Sequence, residues 1–462
     1  MSLHNRIEEY IHAHSGEMLD VLSKLVAIPS VKGEPEPNAP FGREPRCALE
    51  AMAEICKEYG FDTSICENVV GSADFAPNGD VQLGILCHLD VVPVEPSNWS
   101  TPPFEVTQRD GVLYGRGVID DKGPAVASLF AMRCIKELEI PLKKGVRLIF
   151  GTDEENGSED MAIYRKYVKL PPNVFTPDGS FPVINIEKGM MRSRFSGQYL
   201  GGSVKRFEGG KIPNAVPDSA AAEVVGISAE IIRENASALN GLSFEITERA
   251  DSVLIECTGK AAHASTPEGG ANAVTGLLAL LAKLPLAECE QSRIIRGLSE
   301  QFPYGEYDGG SCGLKSSDEK SGALTCVFSI FSMSETACGG CVDVRFPICM
   351  NLSEVERIER KAFSEAGCVF DGYMGDEPHC VDENSEFVQS LLRVYERCEC
   401  EKGRCIAIGG GTYVHTVEGG VAFGAERGDT DYHMHGADEF ITVDELLRDA
   451  VLFAEAIAEI CG

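Results

Sequence analysis

Three short stretches of the sequence carry side chains able to bind a cation or move a proton. They are His88 and Asp90 in LCHLD, Asp120 and Asp121 in VIDDKG, and the segment GTDEENGSED, with five carboxylates in ten positions and Glu154 next to Glu155. Adjacent like charges at the end of an apolar segment raise each other's cost of ionisation. Such a pair belongs either in a solvated loop or near something positive. Taken singly, His88 reads as a satisfied core histidine, Asp120 as a helix cap and the glutamates as a solvated turn. Taken together, an imidazole and several carboxylates, with no thiol required, form a ligand set for zinc, manganese or cobalt.

The elements around these residues predict that they meet. VQLGILC (81–87) is a nearly continuous apolar run, the pattern of a strand buried on both faces of a parallel sheet. In DDKGPAVASLFAMRCIKELEI, the residues Ala127, Phe130, Ala131, Cys134 and Leu138 share one helical face, with Asp120 and Asp121 where carboxylates suit a helix start. GVRLIFG supplies the next strand, completing a βαβ unit whose strands run parallel. Sites in open α/β sheets form beyond the carboxyl ends of the strands. His88 and Asp90, the start of the helix, and Glu154 and Glu155 all fall at that edge. Two apart in an extended chain, His88 and Asp90 face the same way. The connection 88–119 is long enough to expect function of it.

The texture changes after Lys188. SAAAEVVG, SFEITERA and SVLIECTG alternate as strands, and a helix NAVTGLLALLAKL follows. LTCVFSIFSMS, CVDVRFPICM, a helix EVERIERKAFSEAG and CVFDGYM then repeat a similar order. From about Val381 the first texture returns with RCIAIGGG, GVAFGA and a last helix striped by Leu446, Ala450, Phe453, Ile457 and Ile460. These readings predict a discontinuous α/β domain, residues 1–187 and 382–462, with a mostly parallel sheet. An α+β domain of two similar halves, 188–381, is inserted in it.

With 462 residues, two domains are expected. The net charge of −31, from 41 basic and 72 acidic residues, argues against nucleic acid or an anionic membrane as partner. No run of eighteen apolar residues predicts a membrane span, and the N-terminal residues lack the apolar centre of a signal peptide. Eighteen cysteines without framework spacing are expected as free thiols in a reducing cytoplasm. The CGGC pair, Cys338 and Cys341, has half the spacing of a structural zinc site. No second such pair exists, so packed strand thiols are expected there.

HLDVVP, GRGVIDDKGP, GTDEENG and TPDGSFP, in this order, resemble the successive signatures of the dizinc metallopeptidase superfamily of aminoacylases, carboxypeptidase G and dipeptidases. IGGGTY and AVPDSA are similar to the PepV-type dipeptidase branch. The resemblance implies a zinc-peptidase catalytic domain with an inserted lid. It implies that His88 and Asp178 hold one metal, Glu155 and His435 the other, and that Asp120 bridges them. Glu154 would be the general base and Asp90 the carboxylate orienting His88. Two divalent ions, most simply Zn2+, with Mn2+ or Co2+ as alternatives, would stand about 3.5–4 Å apart and share a water that hydrolyses the peptide bond. In the lid, Asn214 of KIPNAVPD would bind substrate, and His263 of GKAAHAS would stabilise the oxyanion. Arg345 of VDVRFP, turned away from the apolar face of Val344 and Phe346, would hold the substrate carboxylate, with backbone N–H groups of GGGTY (Gly409, Gly410, Gly411, Thr412) nearby. DYHMHGADE contains both His433 and His435. Period-two geometry would turn them the same way, and motif position and the spacing to Glu439 favour His435. The chain departs from the family pattern at Gly436 and His415.

The implied activity is hydrolysis of short unblocked peptides. A second reading keeps the dinuclear site but makes the substrate an N-acyl amino acid, as in a desuccinylase or deacetylase. The long inserted region argues against it, since the resemblance implies shorter lids that dimerise in enzymes of that kind. A lid with two similar halves can imitate that dimer interface within one chain, which predicts a monomer. A third reading, a non-catalytic peptide-binding protein, conflicts with the complete ligand set and the intact Glu154.

Overall fold

The computed structural model describes residues 2–237, 239–428 and 430–462. Two compact units divide the chain. The first comprises Met1–Asn185, Cys380–Ile406 and Gly411–Gly462, and the second Ile186–His379 with Ala407–Gly410. The second is thus inserted into the chain of the first.

The sheet of the first unit has the order Asp62–Cys66, Val70–Phe75, Gly145–Gly151, Val81–His88, Asn173–Thr176, Val421–Ala422, Val183–Glu187 and His379–Cys380, with Cys405–Ile408 paired to Val183–Glu187. Its centre is parallel: Val81–His88 pairs in parallel with both Gly145–Gly151 and Asn173–Thr176, and Val421–Ala422 continues the series. Flanking ladders, such as Asp62–Cys66 on Val70–Phe75 and that strand on Gly145–Gly151, are antiparallel. The expected mostly parallel sheet describes the four central strands. They are the apolar ones because helices cover them: Leu83, Ile85, Val146, Leu148 and Phe150 are buried among residues of Lys122–Glu137 and Val443–Cys461. The long connection 88–119 is not structureless. Its strands Thr107–Arg109 and Val112–Tyr114 form a small sheet with Phe440–Thr442.

The second unit is built on an eight-stranded sheet, in the order Ser243–Glu248, Val253–Thr258, Ser219–Val224, Val204–Gly209, Thr325–Met333, Ala337–Phe346, Gly189–Gln198 and Val369–Asp376. Every ladder in it is antiparallel. Four strands from 204–258 form one half and the remaining four the other. The helices Ala229–Ala236, Ala273–Lys283, Glu290–Gln301 and Leu352–Glu365 pack on a separate core with Phe195, Phe207, Phe328, Phe331 and Phe363. Gly189–Gln198 alternates buried and less buried residues along its length, the pattern of a strand with one face on that core. Cys338 and Cys341 lie buried within the strand Ala337–Phe346 as free thiols. Among the described residues no helix is long and apolar enough to cross a membrane.

Candidate metal centre

The register of the two central parallel strands sets His88 beside Gly151, and the N–H of Leu89 donates to the carbonyl of Gly151 at 2.9 Å. Their carboxyl ends therefore release the segments 88–90 and 152–155 at one edge. The neighbouring strand ends at Thr176 and delivers Asp178 there, and the helix Lys122–Glu137 brings Asp120 and Asp121 at its start. His435 arrives from the turn that precedes Phe440–Thr442.

These side chains form two adjoining groups, His88–Asp120–Asp178 and Asp120–Glu155–His435. Within each group the donor atoms lie within 4.8 Å of one another. Asp120 belongs to both. Its Oδ1 is 2.9 Å from His88 Nε2 and its Oδ2 is 2.9 Å from His435 Nε2. Asp178 Oδ2 stands 3.5 Å from His88 Nε2, and Glu155 Oε2 is 3.1 Å from His435 Nε2. His88 Nε2 is fully buried and makes no hydrogen bond despite these neighbours. A buried imidazole nitrogen aimed at carboxylate oxygens without hydrogen-bond geometry is arranged as a ligand, not as a donor. The nitrogen-and-oxygen donor set fits a pair of borderline divalent cations.

The local charges are unbalanced, with Asp90, Asp120, Asp178, Glu154 and Glu155 gathered around two imidazoles. Burial opposes charge on His88, but the carboxylates of Asp120, Asp178 and Asp90 hold its protonated form well above the ordinary range. Hydrogen bonds to Asp120 and Glu155 push His435 up to about 11. Burial also opposes ionisation of Asp120, and the two histidines overcome it and hold the group below the usual carboxylate range. Burial, aided by Asp120, pushes Glu155 up to about 7. Burial carries Glu154 well above its ordinary value. His88 works against that rise, and the negative charges of Asp178, Glu155 and Asp120 add to it.

Several side chains differ from their sequence assignments. The expected orientation of His88 by the Asp90 carboxylate is replaced by a shorter contact. Nδ1 of His88 meets the main-chain carbonyl of Asp90 at 3.0 Å, while the carboxylate lies 3.6 Å away. That carboxylate instead accepts the N–H groups of Glu154 at 3.2 Å and Glu155 at 3.1 Å, and so fixes the short helical turn carrying both glutamates. Asp121 stands at the N-cap position of its helix, but its side chain makes no capping bond there. Its Oδ2 accepts the N–H of His88 at 3.0 Å. His433 and His435 do not share a direction, because both sit at positive φ (56° and 61°) in a turn where strand alternation fails. The ring of His433 packs edge-on against Phe440 at 5.8 Å, away from the carboxylates that meet His435.

Asp153 and Asp160, in the same segment as the two glutamates, are fully buried. Lys32 Nζ lies 2.7 Å from Asp153 Oδ1. Asp160 accepts the N–H groups of Thr152 at 2.7 Å, Asp153 at 3.2 Å and Met161 at 2.6 Å, and the hydroxyl of Tyr413. Gly151 makes room for this: a Cβ there would overlap the Tyr413 hydroxyl and the Asp160 carboxylate.

A buried pair that sequence reasoning missed laces two of the contributing loops. Arg116 pairs with Glu439 and donates to the carbonyl of Gly436 at 2.8 Å. Glu439 also accepts the N–H groups of Gly117 at 3.0 Å, Ile119 at 3.1 Å and Asp120 at 3.3 Å. One carboxylate thereby holds the loop of Asp120 against the turn of His435. Only the spacing from His435 to Glu439 hinted at it.

Within the inserted unit, Ala215 pairs with His263, and the N–H of Ala264 donates to the carbonyl of Asn214 at 2.9 Å, so Asn214 and His263 are neighbours. His263 Nδ1 lies 2.6 Å from the hydroxyl of Ser265. Arg345 is buried, on the same face of its strand as Asp343. It is bonded to Asp343 Oδ1 at 2.6 Å and donates to the carbonyl of Gly409 at 2.9 Å. A Cβ on Gly410 would meet open space. Gly411 and Thr412 belong to the first unit, where the Thr412 side chain accepts the N–H of Val414.

Residues 84–459 match the family described as peptidase family M20/M25/M40. The chain belongs to this family. It is 33% identical over 474 residues to a Beta-Ala-Xaa dipeptidase of Lactobacillus delbrueckii subsp. lactis, covering 98% of each chain. Among solved structures it is similar in fold to human carnosine dipeptidase 1, with a TM-score of 0.62 at 16% identity, covering 100% of this chain and 99% of that one. It is also similar in fold to the YXEP protein of Bacillus subtilis, described as a dinuclear metal binding peptidase from the M20 family, with a TM-score of 0.50 at 12% identity over 97% of this chain and 99% of that one. Members of this family bind a dinuclear metal, and this chain carries two adjoining histidine–carboxylate groups that share Asp120.

Proposed function

We propose that the protein is a metal-dependent dipeptidase acting on short unblocked peptides. The observation that carries the metal centre is Asp120, whose two oxygens each face a different histidine at 2.9 Å. The dipeptidase assignment rests on relatives matched along nearly the whole chain. His88, Asp120 and Asp178 would hold one divalent ion, and Asp120, Glu155 and His435 the other, with zinc the simplest occupant and manganese or cobalt compatible with the same donors. When bound, such a pair lowers the pKa of water and polarises the scissile carbonyl.

The protein's own part is to hold the proton in transit. Glu154 is presented by a turn whose N–H groups are fixed by Asp90, and its burial among negative charges raises its affinity for a proton. It takes a proton from the attacking water and returns it to the leaving amine. Substrate-binding roles are proposed for Asn214, Arg345, Gly410, Gly411 and Thr412, and an oxyanion-stabilising role for His263, each to be tested by its own substitution. The eighteen cysteines, which lack framework spacing, support a reducing, cytoplasmic setting. The two halves of the inserted domain support a monomer, which light scattering would check.

The decisive assay follows removal of metal by chelation. Dipeptides, tripeptides and N-acyl amino acids are offered with zinc, manganese or cobalt restored singly. Dipeptide cleavage that returns with metal, while N-acyl amino acids stay intact, supports the reading. Preferential deacylation, or cleavage indifferent to metal, overturns it.

A further inference from the structure

A third histidine-containing cluster lies on the helical side of the first unit, formed by residues that the proposed peptidase chemistry does not use. His4 from the helix Leu3–Ala13, Cys398 from Glu386–Glu399 and Glu455 from Val443–Cys461 bring an imidazole nitrogen, a thiol sulfur and a carboxylate oxygen within 4.8 Å of one another. Glu455 is 2% exposed. Its Oε2 accepts from Arg397 Nη2 at 2.9 Å and Nε at 3.2 Å, which turns Oε1 toward His4. His4 Nδ1 and Glu455 Oε1 are 3.3 Å apart, and both atoms are buried without a hydrogen bond.

We propose that His4, Cys398 and Glu455 form a separate binding site for a zinc-class divalent cation. An ordinary histidine–glutamate ion pair would direct an N–H at the carboxylate, and this pair does not. Its 3.3 Å separation is instead that of two ligands on a tetrahedral ion with bonds of about 2 Å. A thiolate, an imidazole and a carboxylate make a softer donor set than the nitrogen-and-oxygen centre at the sheet edge, so the site selects zinc or cobalt over magnesium or calcium. The arginine on Oε2 orients the carboxylate as a supporting partner orients a metal ligand.

Access is provided. His4 and Cys398 line a cavity of about 410 Å³ together with the carboxylates of Glu8, Glu399 and Asp444 and the guanidinium of Arg448, which is paired with Glu399. The acidic rim attracts cations, and the cavity gives an ion access to His4 and Cys398. Because the three ligands come from three helices distant in sequence, a bound ion would fasten the N-terminal helix to the C-terminal one.

Cobalt distinguishes this site from the proposed catalytic centre, because a cysteine-ligated cobalt ion gives a near-ultraviolet thiolate-to-metal charge-transfer band and a nitrogen-and-oxygen centre gives none. We expect cobalt added to the metal-free full chain to produce this band, and zinc to abolish it. The band should disappear in Cys398→Ser, persist in Cys400→Ser and require higher cobalt in His4→Ala, whose dipeptide hydrolysis stays at the wild-type level. No band in the wild type, or a band that survives Cys398→Ser, overturns the proposal. His4 is partly exposed near a helix start, so the His4→Ala variant keeps the test informative if the serine variant does not fold. Absence of the band would leave the sheet-edge centre untouched, since that centre is read from hydrolysis.

Discussion

The segment GTDEENGSED holds two kinds of buried carboxylate within ten residues, and they are treated in opposite ways. Asp153 and Asp160 are satisfied by the protein itself, through Lys32, four N–H groups and the Tyr413 hydroxyl. Glu154 and Glu155 have their main-chain N–H groups fixed by Asp90, while their carboxylates look toward Asp120, Asp178 and the histidines. Buried carboxylates cost free energy unless they are paired or hydrogen-bonded. The chain supplies that pairing to the first two and presents the second two to the cluster of His88, Asp120, Asp178 and His435. Sequence neighbours thus divide into a scaffold and the chemistry it presents.

The largest effect that sharpens this division is expected at Glu154. Glu154→Ala should lower dipeptide hydrolysis by a factor of about 10²–10⁴, the usual worth of a positioned general base, without lowering metal content. Retention of most activity would remove Glu154 from the chemistry. Next comes chelation: at free metal about a hundredfold above Kd, binding to the folded chain contributes about 2.7 kcal/mol. Thermal unfolding should therefore begin at lower temperature after chelation and recover with zinc, and an unchanged melting curve would break the comparison.

On the scaffold side the effects are smaller and fall on stability. Tyr413→Phe deletes the hydroxyl bonded to the buried Asp160 carboxylate and should cost about 2 kcal/mol in denaturant unfolding, while keeping metal content. Loss of metal in that variant with no loss of stability would exchange the two roles. Glu159, exposed at the start of its helix, should be replaceable by Gln with no measurable change in either quantity.

The parts of the site legible in the sequence are those that depend on short-range order. His88, Asp120 and Glu155 follow from apolar strands, one amphipathic helix and the rule that parallel strands end at the same edge. His435 follows from motif position and not from periodicity, since positive φ at both histidines cancels the period-two argument. Asp90 shows a different limit. Its position predicts that it supports His88, yet whether the carbonyl or the carboxylate does so depends on the turn at 154–156, which sequence alone does not place. The Arg116–Glu439 pair and the Lys32–Asp153 pair join residues far apart in the chain. No local pattern distinguishes such residues from surface charges. In the fold, the central parallel strands stand out as apolar runs, whereas the antiparallel flank beginning at Asp62 in DTSIC carries too few apolar residues to do so.

The central claim is that Asp120 ties two cations into one centre, and metal content tests it most directly. Measured by elemental analysis in the Cys398→Ser background, so that the His4 cluster does not contribute, the chain should hold two divalent ions. Adding Asp120→Ala should reduce this below one while the protein stays folded. Two ions retained after that substitution, or none bound before it, would contradict the account.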